Sequence, residues 1–325
     1  MLTEKHIMSK LIVVCGATGQ LGGSVARRML NEGWRVRAIT RNVNGQAAQA
    51  LAAKGAELAS ADYDDEASLA EVFQDANAIF AVTNFWDYLM QLGQAGAGER
   101  EFNQMLTIAR AAQQSPTLEH FIIHTLASGE KLAGKDFICP HWDYKDKAAD
   151  EIKRSLPELA KKTTFLGVGF FASNLLNGVK PLEVPGTYGG HIVVLPCKPE
   201  TIMWVTDIEH NVGLMVHAVL SNPSRTLPAK YVSVHSDILP LADVFKTWSE
   251  VTGKRVEFIQ CTPENYEGIM MIFGKELASQ LKLNEVAPEW YAAYDEKDTV
   301  MPKDLGVQDK LLSLKQSLEA NKEKL

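Results

Sequence analysis

The residues of this 325-residue chain with the clearest chemical purpose are three evenly spaced glycines in the run Gly16-Ala17-Thr18-Gly19-Gln20-Leu21-Gly22. Between a strand and a helix, such a run makes an anion cradle. Gly16 permits a tight exit from the strand, Gly19 lets the backbone approach a pyrophosphate, and Gly22 lets the helix pack closely on the sheet. The helix N-terminus adds its N–H groups and positive dipole end. Thr18, Gln20 and Leu21 are therefore candidate cofactor contacts together with the glycines. Thr40-Arg41-Asn42 stands where a site for an unphosphorylated dinucleotide usually has an acid. The Arg41 guanidinium suits a 2′-phosphate, which favours NADP(H) over NAD(H); the alternative is a solvated surface arginine. Asp62 and Tyr63 fall after a third strand, where adenine would lie, and Asp64 or Asp65 competes for the acidic run as a helix N-cap.

A second set could act on a substrate. His141 and Lys145 are four residues apart, the spacing at which short-chain reductases carry Tyr-x-x-x-Lys on one helix face. Here histidine replaces the tyrosine. Tyr144 cannot substitute, because the residue next to Lys145 points about 100° away around a helix. Two readings stand. His141 is the proton donor, as its ordinary pKa of about 6.5 permits, or it orients the loop before the helix while Lys145 holds a ribose. An imine or iminium acceptor, already protonated, needs no such donor. His124 and Thr125 end a fifth strand, where a reductase hydroxyl would face substrate. Thr83, Asn84, Phe85 and Trp86 end the fourth, and Phe170 and Phe171 follow the sixth; these either flank a nicotinamide or simply pack.

The elements that must position these groups are legible as strand–helix alternation. Apolar runs at Leu11–Cys15, Trp34–Ile39, Glu57–Ala59, Ala78–Val82, His120–His124 and Thr163–Val168 read as strands. Between them, 24–31, 47–54, 66–73, 101–113 and 144–155 read as helices, with a long loop over Thr83–Gly98. Short alternation of this kind predicts a doubly wound parallel Rossmann sheet with a smaller, loop-rich C-terminal lobe. The expected partition is a dinucleotide-binding domain over residues 1–168, to which 204–236 returns. A substrate- or partner-binding lobe would then comprise 169–203 and 237–325. In the returning segment, 207–220 reads as a helix and 231–234 as one more core strand; in the lobe, 242–252 reads as a helix, 256–259 as a strand, and the tail as mostly helical with a solvated end.

Composition narrows the classes. Apolar residues make up 46% of the chain and charged residues 22%, an ordinary globular balance, and the net charge of −7 argues against general attraction to nucleic acid. Cys15, Cys139, Cys197 and Cys261 form no CxxC pair, and the histidines at 191, 210, 217 and 235 lack metal-ligand spacing, so no metal site is expected. No nucleophile elbow occurs. The opening segment lacks an apolar leader and no run is long enough to span a bilayer, so the reading is a cytoplasmic protein with no membrane or direct nucleic-acid partner. Nothing in these features fixes an oligomeric state.

GATGQLGG at 16–23, ITRN at 39–42, ADYDDEASL at 61–69, FAVTNFWD at 80–87, HWDYK at 141–145, GFFASNLL at 169–176 and VTDI at 205–208 together resemble the NmrA-like branch of the atypical short-chain dehydrogenase/reductases. The TNFW, HxDxK and GFF-x-x-N segments are the more specific. The resemblance implies NADP(H) binding, with the Arg41 position at the 2′-phosphate and the Lys145 position near the nicotinamide ribose. It also implies two functional classes. One is an NADPH-dependent reductase of a small organic substrate such as an imine or iminium, a quinone or an enone. The other is a non-catalytic NADP(H) sensor that binds a regulatory protein such as a transcription factor, for which the nucleus is a second location.

Overall fold

The computed structural model describes residues 9–325; the opening segment read above for a leader lies mostly outside them. Eight parallel strands form the main sheet in the order β14-β11-β6-β5-β4-β1-β2-β3. The order runs outward from β1 (Leu11–Val14) to β2 (Arg35–Ile39) and β3 (Glu57–Ala59) on one side. On the other it passes to β4 (Ala78–Ala81), β5 (His120–Thr125) and β6 (Thr163–Val168). The first-half helices are α1 (Gln20–Asn31), α2 (Gln46–Ala52), α3 (Glu66–Val72), α4 (Trp86–Gln113), α5 (Gly129–Ala133), α6 (Pro140–Ser155) and α7 (Pro157–Ala160).

Alternate residues of β1 explain why both faces are covered. Ile12 and Val14 pack into a core with Val25 and Met29 of α1, whereas Leu11 and Val13 pack with Leu69 of α3 and Ile108 of α4. A strand buried on both faces reads as an unbroken apolar run, which is what LIVV is.

The second half is more irregular. β7 (Phe170–Phe171), β10 (Ile202–Thr206) and β12 (Asp237–Pro240) form one small sheet, with β10 central. β8 (Leu182–Glu183), β9 (Gly190–Leu195) and β13 (Arg255–Gln260) form another. Asp207 caps a π-helical turn at Ile208–Val212 by accepting from the His210 amide, and α8 (Gly213–Ser221) continues from it. After α9 (Pro223–Thr226), β11 (Lys230–Val234) returns beside β6. The lobe holds α10 (Leu241–Thr252), α11 (Pro263–Met270) and α12 (Gly274–Val286). Beyond it, β14 (Thr299–Val300) rejoins the main sheet beside β11. The last helix, α13 (Leu314–Ala320), is not a solvated end: Leu314 and Leu318 enter the lobe core beside Trp248.

Two departures from the sequence reading bear on the site. The expected loop over 83–98 is largely helix, because α4 begins at Trp86 and bends at Gly93, whose φ of 67° and ψ of −179° are open to glycine alone. Gly98 admits its neighbour closely: a Cβ there would stand 2.1 Å from the Tyr144 ring, so glycine lets α4 and α6 approach. α6 in turn starts at Pro140 rather than 144, with proline in the first turn, where a missing N–H costs nothing. His141 therefore lies in the first turn of α6, directly after the segment that leads into the helix.

Candidate active site

The glycine turn and the carboxyl ends of β1, β2, β3 and β4 enclose a cleft of about 550 Å³. Gly16, Thr18, Gly19, Gln20, Leu21 and Gly22 form one wall. Gly16 has φ 66°, and a Cβ on Gly22 would meet the Gly16 carbonyl oxygen at 2.3 Å, so both positions require glycine. A Cβ on Gly19 would meet only the Gly16 oxygen, at 3.3 Å. Helix α1 starts at this turn with no side-chain cap and no acid in its first turn. Its leading N–H groups are therefore left to an anion, and a dinucleotide pyrophosphate fits the donors present.

At the other end of the cleft lie Thr40, Arg41, Asp62 and Tyr63. Arg41 donates to Asp87 at 3.0 Å, and Asn84 donates to the other oxygen of that carboxylate at 2.6 Å. Asp62 accepts from the Asp64 amide, while Asp65 caps α3 by accepting from the amides of Ala67 and Ser68. Burial pushes the Tyr63 phenol well above its ordinary range. Thr83, Asn84 and Trp86 complete the cleft, and Phe171 faces it rather than Phe170, which packs against the lobe core. Phe85 is buried with Leu89 and Ala97 and forms no part of the cleft wall.

The three candidate catalytic groups lie behind that wall. Lys145 is buried and donates to Glu101 at 2.5 Å and to the His141 carbonyl at 3.3 Å. The second Glu101 oxygen accepts from Thr83, which lines the cleft, so two hydrogen bonds through Glu101 connect Lys145 to the cleft wall. Thr125, placed by sequence to face substrate, is fully buried and donates to the Lys145 carbonyl at 3.3 Å. His141 Nδ1 lies 2.5 Å from Glu276 of α12, and the Trp86 ring covers the imidazole at a centroid distance of 5.2 Å. The neighbouring His124 is buried with an unpartnered Nδ1. Burial, then the charge of Lys145, pulls its pKa down to about 3.

Cys139, His141 and Glu276 bring ligand-type atoms within 4.8 Å of one another. The carboxylate is already engaged: one oxygen faces the imidazole, the His141 amide and the Cys139 thiol, and the other accepts from Gln94. The arrangement is a hydrogen-bonded joint between the lobe and α6. Burial, then the Glu276 charge, raises the Cys139 thiol well above its ordinary range, so it stays protonated. Glu101 and Glu276 were not singled out from sequence. Glu101 opens a segment read as a helix and Glu276 falls in a tail read only as mostly helical; they lie 44 and 135 residues from their partners, and no local pattern marks them.

A doubly wound sheet, an uncapped glycine turn and an arginine after β2 together define a Rossmann-type nucleotide-fold protein. The chain belongs to the NmrA-like family, whose model matches residues 8–325. It is 29% identical over 275 residues to the NmrA-like family domain-containing oxidoreductase cpsB of Aspergillus campestris, covering 80% of this chain and 78% of that one. Its fold is that of NmrA, a negative transcriptional regulator solved in complex with NADP, at TM-score 0.74 and 18% identity over 96% of this chain and 94% of the other. Leucoanthocyanidin reductase from Vitis vinifera, solved with NADPH, is similar at TM-score 0.70 and 14% identity, over 94% and 97%. No described helix is long and apolar enough to cross a membrane.

Proposed function

We propose that this chain is an NADP(H)-dependent oxidoreductase whose acceptor arrives already activated, with an iminium ion as the best-fitting class. NADPH would supply the hydride. The glycine turn would hold the pyrophosphate, Arg41 the 2′-phosphate, and Asp62 and Tyr63 the adenine side. Thr83, Asn84, Trp86 and Phe171 would border the nicotinamide end. The observation that carries the choice of acceptor is the placement of the acid–base groups. Thr125 and Lys145 are spent on α6 and Glu101, and His141 lies under Trp86, so among the described residues none of the three presents a proton to the cleft. A carbonyl needs a proton as hydride arrives, whereas an iminium carbon does not. The chain then has only to orient the acceptor and exclude water, tasks suited to Trp86 and Phe171.

The same burial also favours a sensor that binds NADP(H) and turns nothing over, as the regulator with the same fold suggests. Turnover separates the two. NADPH oxidation should proceed with a preformed cyclic iminium salt, more slowly with quinones and enones, and should change less than about threefold in His141→Gln. Tight NADPH binding with no oxidation of any acceptor would leave the sensor.

A further inference from the structure

We propose that Asp87 is a built-in competitor for the 2′-phosphate on Arg41 and thereby sets how strongly the cleft prefers a phosphorylated dinucleotide. The proposal rests on the reading that Arg41 holds that phosphate. The Arg41 side chain is 80% exposed and Asp87 is its only ion-pair partner among the described residues, at 3.0 Å. The two residues come from opposite sides of β1: Arg41 follows β2 and Asp87 opens α4 after β4, and both line the cleft. Their ion pair thus spans the mouth above the carboxyl end of β1.

Asp87 is held in that position. Asn84 donates to its other oxygen at 2.6 Å, and its place in the first turn of α4 favours negative charge through the helix dipole. An entering 2′-phosphate must draw the guanidinium from this carboxylate and then carry about two negative charges beside it. The phosphate wins on charge, but its net gain is reduced. For a dinucleotide without the phosphate the same carboxylate works in the opposite direction. It can accept from the ribose 2′-hydroxyl, the task an acid at the end of the second strand usually performs. That acid is absent after β2, and Asp87 reaches the same place from β4. One side chain therefore opposes the phosphate and assists the hydroxyl, which narrows discrimination from both sides.

The test is fluorescence or calorimetric titration of the full chain with NADPH and NADH at low and high salt, for wild type, Asp87→Asn, Arg41→Ala and the double variant. Asn is isosteric with Asp and keeps a side-chain oxygen toward Asn84. Asp87→Asn should tighten NADPH about three- to tenfold, weaken NADH, and lose most of the effect on NADPH at high salt. In the Arg41→Ala background the same change should tighten NADPH by a smaller factor, since no guanidinium is left to release and only the repulsion between carboxylate and phosphate is relieved. Asp87→Ser should behave as Asp87→Asn does, which separates lost charge from altered helix start. NADPH and NADH affinities unmoved by Asp87→Asn would overturn the role of Asp87 while leaving Arg41 and the cofactor reading intact. NADPH binding that Arg41→Ala leaves unchanged would overturn both the role of Asp87 and the assignment of Arg41, and wild-type protein that binds neither nucleotide would sink the cofactor reading as well.

Discussion

At the residue scale, the buried pair Lys145–Glu101 is the costliest feature near the cleft. Both side chains are almost wholly excluded from water, and each is satisfied through the other, with Thr83 and the His141 carbonyl completing the set. Removing one partner strands a buried charge, which costs about 3–5 kcal/mol, whereas replacing both by apolar groups of similar volume is often neutral. Glu101→Leu should therefore lower stability in denaturant titration by about 3 kcal/mol or more, and Glu101→Leu with Lys145→Met should recover most of that loss. Equal losses from the single and double changes would show that the pair contributes through packing alone. The double variant should also loosen Thr83, which loses its carboxylate acceptor.

Among the elements, those formed by local rules were legible and those formed by distant partners were not. The glycine turn and strands β1 to β6 follow from apolar runs bounded by glycines, and the strands appear within one residue of expectation, while α1 starts at Gln20, four residues before its expected start. Helix α4 was hidden because Gly93, Gly96 and Gly98 weaken its intrinsic propensity. Its start depends on packing against α6, where Gly98 accommodates Tyr144. Similarly, α6 was read four residues short, since Pro140 looks like a boundary until its first-turn position is seen. The glycine-turn candidates together with Arg41, Asp62, Tyr63, Thr83 and Asn84 converge on one cleft. Thr125, His141, Lys145, Phe85 and Phe170 do not, because burial and ion-pair partners, which a single sequence does not encode locally, turn them inward. Phe170 and Phe171 alternate across β7, so a one-residue difference decides which of them faces the cleft.

On the scale of the whole molecule, three buried histidines tie stability to pH. Burial lowers His120 and His235 to about 4 and His124 to about 3, from an ordinary value of 6.5. All three remain neutral in the fold but take up protons once the chain unfolds. Their folded values are depressed, so acid favours the unfolded state, and stability falls as pH drops from about 6.5 towards 4. Each can contribute a slope of up to ~1.4 kcal/mol per pH unit. Denaturant midpoints should fall steadily between pH 6.5 and 5, above the ordinary carboxylate range, and replacing His124 by Gln should flatten that slope by roughly one proton. A midpoint constant over this interval would contradict the neutral-histidine account.

The cleft joins these scales, since the sheet places its walls, the uncapped start of α1 lies on one side and Arg41 lies at the end where we propose the 2′-phosphate sits. The most direct test is titration of the purified chain with NADPH and NADH under identical low-salt conditions. The account predicts saturable binding of both, with NADPH tighter and the difference removed in Arg41→Ala. NADH binding as tightly as NADPH, or neither nucleotide binding, would contradict it.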